Sequence, residues 1–204
     1  MMALYSSENC VDCHRVRFVL AEKGINVEII HLEQDRAAIA DLAELNPYGE
    51  APTLVDRDMT VYGTGPVTEY LDERYPHPPL MPIDPVTRSR LRLLMYRIQR
   101  DWIDAGKMIE SSTAEKKLAA MRKALKEDLI AYDQMFGLTP YLLNDELSLA
   151  DCALLPMLWR LPYYGIELNP RQTPELHRYM DRLFRRDSFQ RSLTEVERRM
   201  RFDD

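Results

Sequence analysis

Tyr75-Pro76-His77-Pro78-Pro79-Leu80-Met81-Pro82 packs four of the chain's 13 prolines into one short run without a glycine. Proline fixes φ and removes a backbone donor, so neither a helix nor a central strand fits here. Each X-Pro step also pushes the preceding residue toward extended geometry. The run therefore reads as a stiff, polyproline-like connector. It divides two stretches with different periodicities, and that division decides the fold. Two uses suit the residues. One is a rigid spacer between domains. The other is a protein-docking edge that holds a ring, an imidazole and apolar side chains at fixed angles.

Upstream of the run, strand and helix signals alternate. Met2 to Tyr5 is a short apolar strand. Cys13 to Lys23 reads as a helix, apolar at Val16, Val19 and Leu20 and stopped by Gly24. Val27 to Leu32 is β-branched and apolar, which suggests a buried strand. Arg36 to Leu45 is helical and closes at Asn46-Pro47. Thr53 to Val55 and Met59 to Tyr62 are short strands around Asp56-Arg57-Asp58, and Thr64 to Arg74 is a helix. The order β-α-β-α-β-β-α makes a small α/β domain with a mixed sheet.

Downstream, everything reads helical. Asp84-Pro85 is an N-cap followed by proline at the first helical position. A long helix follows, with Leu91, Leu94, Met95, Ile98 and Trp102 at three-to-four spacing. Further helices are expected over Ala114–Phe136, Ser148 to about Leu161, and Pro174–Phe184. In the third of these four, Ser148 and Asp151 have the spacing of a capping box, a structural device without chemistry. The expected organisation is an α/β domain at 1–76, a Pro-rich linker at 77–84 and an all-α domain at 85–204.

Composition narrows the function. The chain has 204 residues, is 46% hydrophobic and 29% charged, and carries a formal charge of −6. Residues 1–82 hold 6 Lys/Arg against 14 Asp/Glu, a net of −8. Such an acidic first half repels a phosphate backbone and argues against direct nucleic-acid binding; it favours a basic protein partner. No apolar stretch is long enough for a membrane span, and the N-terminus lacks the pattern of a signal peptide. Three cysteines, an odd number, argue against a disulfide framework and for the cytoplasm.

The residues with chemistry to offer are few. Cys10-Val11-Asp12-Cys13-His14 opens the first helix, where helix N–H groups favour a thiolate. Asp12 between the cysteines opposes that charge. Two small half-buried residues at a helix start are the competing explanation. Ala51-Pro52-Thr53 places a proline just before a strand, a position often cis in thioredoxin-like folds. His14, His31, His77 and His177 show no metal-ligand spacing, so no metal is expected. His14 reads as a packing or capping residue. Arg88, Arg90, Arg92, Arg97 and Arg100 read as a solvated, salt-bridged face.

A small thioredoxin-like domain, a Pro-rich linker and an all-helical domain with a Ser-x-x-Asp box together resemble the glutathione S-transferase superfamily. The markers are Ala51-Pro52-Thr53-Leu54-Val55, Glu69-Tyr70-Leu71-Asp72-Glu73-Arg74, and Ser148 with Asp151. Four stretches are similar to the stringent starvation protein A family within it: Val19–Gly24, Tyr70–Pro82, Leu158–Pro162, and Ser192–Glu195 with Met200-Arg201. The resemblance implies a homodimer that binds RNA polymerase holoenzyme and its sigma factor and acts in stress and stationary-phase transcription. Its contact surface would be Tyr75, Pro76, His77 and Pro78. The glutathione pocket would be vestigial, left as Cys10, Ala51, Pro52 and Thr64. Transferases of the superfamily carry Glu-Ser where this chain has Gly63-Thr64. The missing carboxylate costs roughly 1.5–3 kcal/mol, or ten- to a hundredfold in affinity, so glutathione would bind weakly and transferase activity is not expected. The alternative is a glutathione-dependent thiol transferase or peroxidase using Cys10, with Cys13 beside it.

Overall fold

The computed structural model describes residues 2–202. The chain divides into two compact units, one running from Met2 to Pro79 and including Asp187–Arg199, the other comprising Leu80–Arg186 and Met200 to Phe202. The first boundary falls inside the expected linker. The second differs from expectation, because Asp187–Arg199 belongs with the α/β unit and not with the helical one.

The first unit is built on four strands, β1 (Met2–Ser6), β2 (Glu28–His31), β3 (Thr53–Asp56) and β4 (Met59–Tyr62), in the order β2-β1-β3-β4. β1 runs parallel to β2 and antiparallel to β3, and β3 and β4 form a hairpin. Between them lie α1 (Val11–Glu22), α2 (Arg36–Leu45) and α3 (Thr64–Arg74). Tyr5 clusters with Ala38 and Leu42 of α2, joined by Ile30 and Val55. Leu4 and Leu54, opposite each other and of the other parity, are fully buried on the other face. Helix α1 packs against α3 and against α9 (Asp187–Ser192).

Two expectations are corrected here. β2 is an edge strand, and its Glu28 and Ile29 are exposed, because nothing among the described residues pairs beyond it. Its apolar run reflects the small cluster under α2 and not burial on both faces. Helix α1 is not amphipathic: nine consecutive-to-near residues from Val11 to Leu20 are buried, including Arg15 and Arg17. The returning segment with α9 covers the side that periodicity alone would leave to water. Gly24, at φ +64°, stops the helix as expected.

The second unit contains α4 (Pro85–Arg97), α5 (Asp104–Ser111), α6 (Glu115–Ala131), α7 (Leu149–Trp159) and α8 (Pro174–Phe184). The Asp84 carboxylate accepts from Thr87 N at 2.8 Å and caps α4. The long helix expected after Asp84 is broken by a π-helical stretch, Ile98–Ile103, which carries buried Ile98 and Trp102 into the core. Helix α7 is the centre of the unit, with all eleven residues buried. That explains its continuous apolar sequence. It packs against α4, the π stretch and α8. The Ser148–Asp151 capping box is present at its start. At its end, Arg201 of α10 (Glu195–Phe202) donates to Leu158 O at 2.8 Å and Trp159 O at 2.9 Å, a cation on a helix C-terminus. Among the described residues, no helix is long and apolar enough to cross a membrane.

Candidate functional site

Sheet register brings the expected pocket residues to one end of the sheet. Tyr5, Thr53 and Tyr62 form one row across β1, β3 and β4. The chain leaving β1 toward Cys10, the chain entering β3 through Ala51-Pro52, and the chain leaving β4 into Gly63-Thr64 therefore emerge at one end of the sheet. The Ala51–Pro52 bond is cis. Cys10, Ala51, Pro52 and Thr64 thus lie in the loops of that sheet end.

Cys10 is the N-cap of α1 and is half-buried. Its sulfur accepts from Cys13 N at 3.4 Å. Cys13 is fully buried, and its own sulfur accepts from Ser7 N at 3.3 Å. Hydrogen bonding from the Cys13 side chain, aided by the backbone N–H groups of Cys13 and Asp12, outweighs burial and lowers the Cys10 thiol to about 7. The same hydrogen bond, with burial, pushes Cys13 well up. Asp12 opposes the thiolate only as a lesser influence. Its carboxylate is held by Arg15 at 2.9 Å, which accounts for the weak opposition. Alkylation of Cys10 by iodoacetamide is therefore expected to speed up with pH through about 7 and then level off. Cys13 stays protonated across that range. A midpoint near 9, read by peptide mass spectrometry, would contradict this geometry.

At the same sheet end, Gly63 precedes α3 with φ +80° and offers no side-chain cap. A carboxylate-bearing residue here would be strained, since L side chains rarely adopt that conformation. Thr64 is half-buried.

The Pro-rich run forms a separate feature. Pro76, His77, Pro78 and Pro79 are exposed, Tyr75 is half-buried, and Leu80 and Met81 are buried. The His77–Pro78 bond is cis. Arg74 stacks its guanidinium 5.4 Å from the Tyr75 ring centroid. Beneath the ridge lies Lys23, whose side chain is buried. Its ammonium donates to Tyr75 O and Pro78 O, each at 2.7 Å, and pairs with Asp72 at 2.7 Å. All three ammonium protons are thereby used. Sequence reasoning missed this residue. A lysine just before a helix-stopping glycine looks like an ordinary solvated end, and nothing local points it at a segment fifty residues away.

His14 is buried with Glu197 and Ser192 in what looks like a catalytic trio. His14 Nε2 lies 3.0 Å from Ser192 Oγ, and Nδ1 lies 3.7 Å from Glu197. Ser192 Oγ donates its proton to Phe189 O at 2.7 Å, so it accepts from His14 Nε2–H. That is the wrong polarity for a general base acting on serine. The group is a buried tie that holds the returning segment on α1. Among the described residues, no cluster of His, Cys, Asp or Glu could hold a metal.

Comparison with known proteins agrees with this architecture. Residues 4–79 match the N-terminal domain model of glutathione S-transferases, and residues 99–182 match the C-terminal domain model. A stringent starvation protein A homolog of Coxiella burnetii is 45% identical, covering 98% of this chain and 95% of that protein. The homolog from Haemophilus influenzae is 43% identical, covering 100% and 95%. Among solved structures, a ternary complex of the bacterial glutathione S-transferase BphK superposes with a TM-score of 0.82 at 26% identity, covering 96% of this chain and 98% of that one. Both halves of the chain, and its nearly full-length likeness to these homologs, place it in the glutathione S-transferase superfamily as a member of the stringent starvation protein A family.

Proposed function

We propose that this chain is a cytoplasmic, RNA-polymerase-associated regulator of stress and stationary-phase transcription, which docks on the holoenzyme and its sigma factor through Tyr75, Pro76, His77 and Pro78. The observation that carries this reading is the fixed ridge: four exposed residues, Pro76 to Pro79, braced from below by the buried Lys23 ammonium. A surface already held in one shape loses little entropy on binding, and a ring and an imidazole are good anchors. The net charge of −8 over residues 1–82 suits a basic partner face. The chain would act as a homodimer without transferase activity. Val86, Leu93 and Tyr96 are exposed along one face of α4 and suit contact with a second copy. Glycine at position 63 supports weak glutathione binding.

The experiment is capture of RNA polymerase holoenzyme by the full-length protein. The triple change Pro76→Ala, His77→Ala, Pro78→Ala is expected to keep the melting temperature and the dimer mass by light scattering while abolishing capture. Lys23→Met, which leaves every ridge side chain in place, is expected to weaken capture about tenfold by releasing the loop, the equivalent of about 1.4 kcal/mol. Unchanged capture by the triple variant refutes the docking role.

A further inference from the structure

We propose that Cys10 and Cys13 form a working dithiol that reduces small neutral or cationic disulfides by cycling through an intramolecular Cys10–Cys13 disulfide. This activity is separate from the docking ridge and does not depend on it.

Position divides the labour between the two sulfurs. Cys10 is half-buried at the helix start, so an incoming disulfide can reach it. Cys13 is fully buried one turn on, close enough that its backbone N–H bonds the Cys10 sulfur at 3.4 Å. The Cys10 thiolate attacks one sulfur of R–S–S–R′. A Cys10–S–S–R bond forms, the R–S–S–R′ bond breaks, and R′S⁻ leaves and takes a proton from water. Cys13 then gives up its proton and attacks Cys10 Sγ. The Cys10–Cys13 bond forms and RS⁻ leaves, collecting that proton. The protein has lost two thiol hydrogens and the substrate has become two thiols. Excess low-molecular-weight dithiol restores the starting state by the reverse exchange. The low Cys10 pKa also makes it the better leaving group when the intramolecular bond is reopened.

The substrate class follows from charge. Glu8 lies two residues before Cys10, and Glu33 is tied to the same loop, accepting from Ser7 Oγ and from Glu8 N at 3.0 Å. The nearby cations are committed elsewhere: Arg15 pairs with Asp12 at 2.9 Å and Arg17 with Glu197 at 2.7 Å. Gly63 supplies no carboxylate for the amino group of a γ-glutamyl end. Glutathione disulfide, a net anion, meets like charge and no specific grip. Cystamine, a dication, meets opposite charge.

The test is anaerobic reaction of the reduced full-length protein with limiting cystamine or glutathione disulfide, followed by mass spectrometry of the peptide carrying both cysteines. Wild type is expected to lose two hydrogens in that peptide and retain no adduct. Cys13→Ser is expected to accumulate the Cys10–cysteamine mixed disulfide. Cys10→Ser is expected to lose the fast reaction, and Cys152→Ser, altered at a buried core position, to react as wild type. Glutathione disulfide should react roughly tenfold more slowly than cystamine at low salt, with the gap narrowing as salt rises. Should Cys13→Ser fail to fold, the wild-type peptide decides alone. An undiminished fast reaction in Cys10→Ser, or a persistent adduct on wild type, overturns the dithiol. Equal rates for the two disulfides overturn the substrate class.

Discussion

Asp151→Ala is expected to destabilise the protein by about 4 kcal/mol, read as a lowered urea midpoint. The Asp151 carboxylate, fully buried, accepts from Leu142 N at 2.8 Å, Ser148 N at 2.9 Å, Ser148 Oγ at 3.0 Å and Tyr179 Oη at 2.7 Å. Alanine leaves two backbone N–H groups and a phenol without an acceptor in a dry interior. Each such orphan costs about 1–3 kcal/mol, and the lost cap adds about 1 kcal/mol, less whatever the site recovers by relaxing. Asp151→Asn keeps the volume and one acceptor oxygen, so about half that loss is expected. The pH dependence has a definite sign. Burial is the leading cause of a raised Asp151 pKa, with the four hydrogen bonds pulling back. The folded state therefore keeps this proton to higher pH than the unfolded chain does. The Asp151 contribution is full below the ordinary carboxyl range, about 3.9, and declines as pH rises through the folded value. The difference between wild type and Asp151→Ala should accordingly be larger at acid pH than at neutral pH. A difference that grows toward neutral pH would mean that the four hydrogen bonds outweigh burial, so that the fold favours the carboxylate over the neutral acid.

This capping box was legible because it is local. Ser148, Asp151 and the apolar run after them carry their own instructions within one turn. The same holds for Asp84-Pro85, for α3 at Thr64–Arg74 and for α8 at Pro174–Phe184, where caps or prolines mark the bounds. That the loops at Cys10, at Ala51-Pro52 and at Gly63-Thr64 leave one sheet end was readable for a related reason, since strand order and direction fix which loops share an end. The failures all come from long-range packing. Apolar content alone could not show that β2 lies at an edge. The π stretch at Ile98–Ile103 keeps the apolar spacing of an ordinary helix, so periodicity passes over it. Helices α9 and α10 are short, α10 is rich in Arg and Glu, and what holds them is a buried charged network contributed partly by α1. The Pro-rich run was visible from its prolines, but its brace was not, because Lys23 acts on a segment remote in sequence.

The charged network explains why Glu197→Ala is expected to be as damaging as any change in the chain, at about 3–5 kcal/mol. Glu197 is fully buried and grips Arg17 Nη2 with both oxygens at 2.7 Å, while accepting from Thr194 N at 3.0 Å. The rest of the Arg17 guanidinium is already used: Nε donates to Ser192 O at 3.0 Å, and Nη1 to Ser6 Oγ at 2.7 Å and Ser7 O at 3.1 Å. Arginine cannot shed its proton to escape, so the truncated protein retains a desolvated cation with its counter-charge removed. The penalty is that of an orphaned charge, and a double variant separates the two. Arg17→Met with Glu197→Leu removes both charges and restores apolar volume, and replacing a buried ion pair in this way is often neutral or better. The double variant should therefore be more stable than Glu197→Ala alone, although it departs further from the natural sequence. Unfolding in urea measures both, and limited proteolysis adds a local reading. In Glu197→Ala the segment Asp187–Arg199 should be cut first, because α9 and the start of α10 lose the charge that pins them to α1. If the double variant is as unstable as the single one, packing and not charge holds that segment, and Arg17 is a passenger in the core.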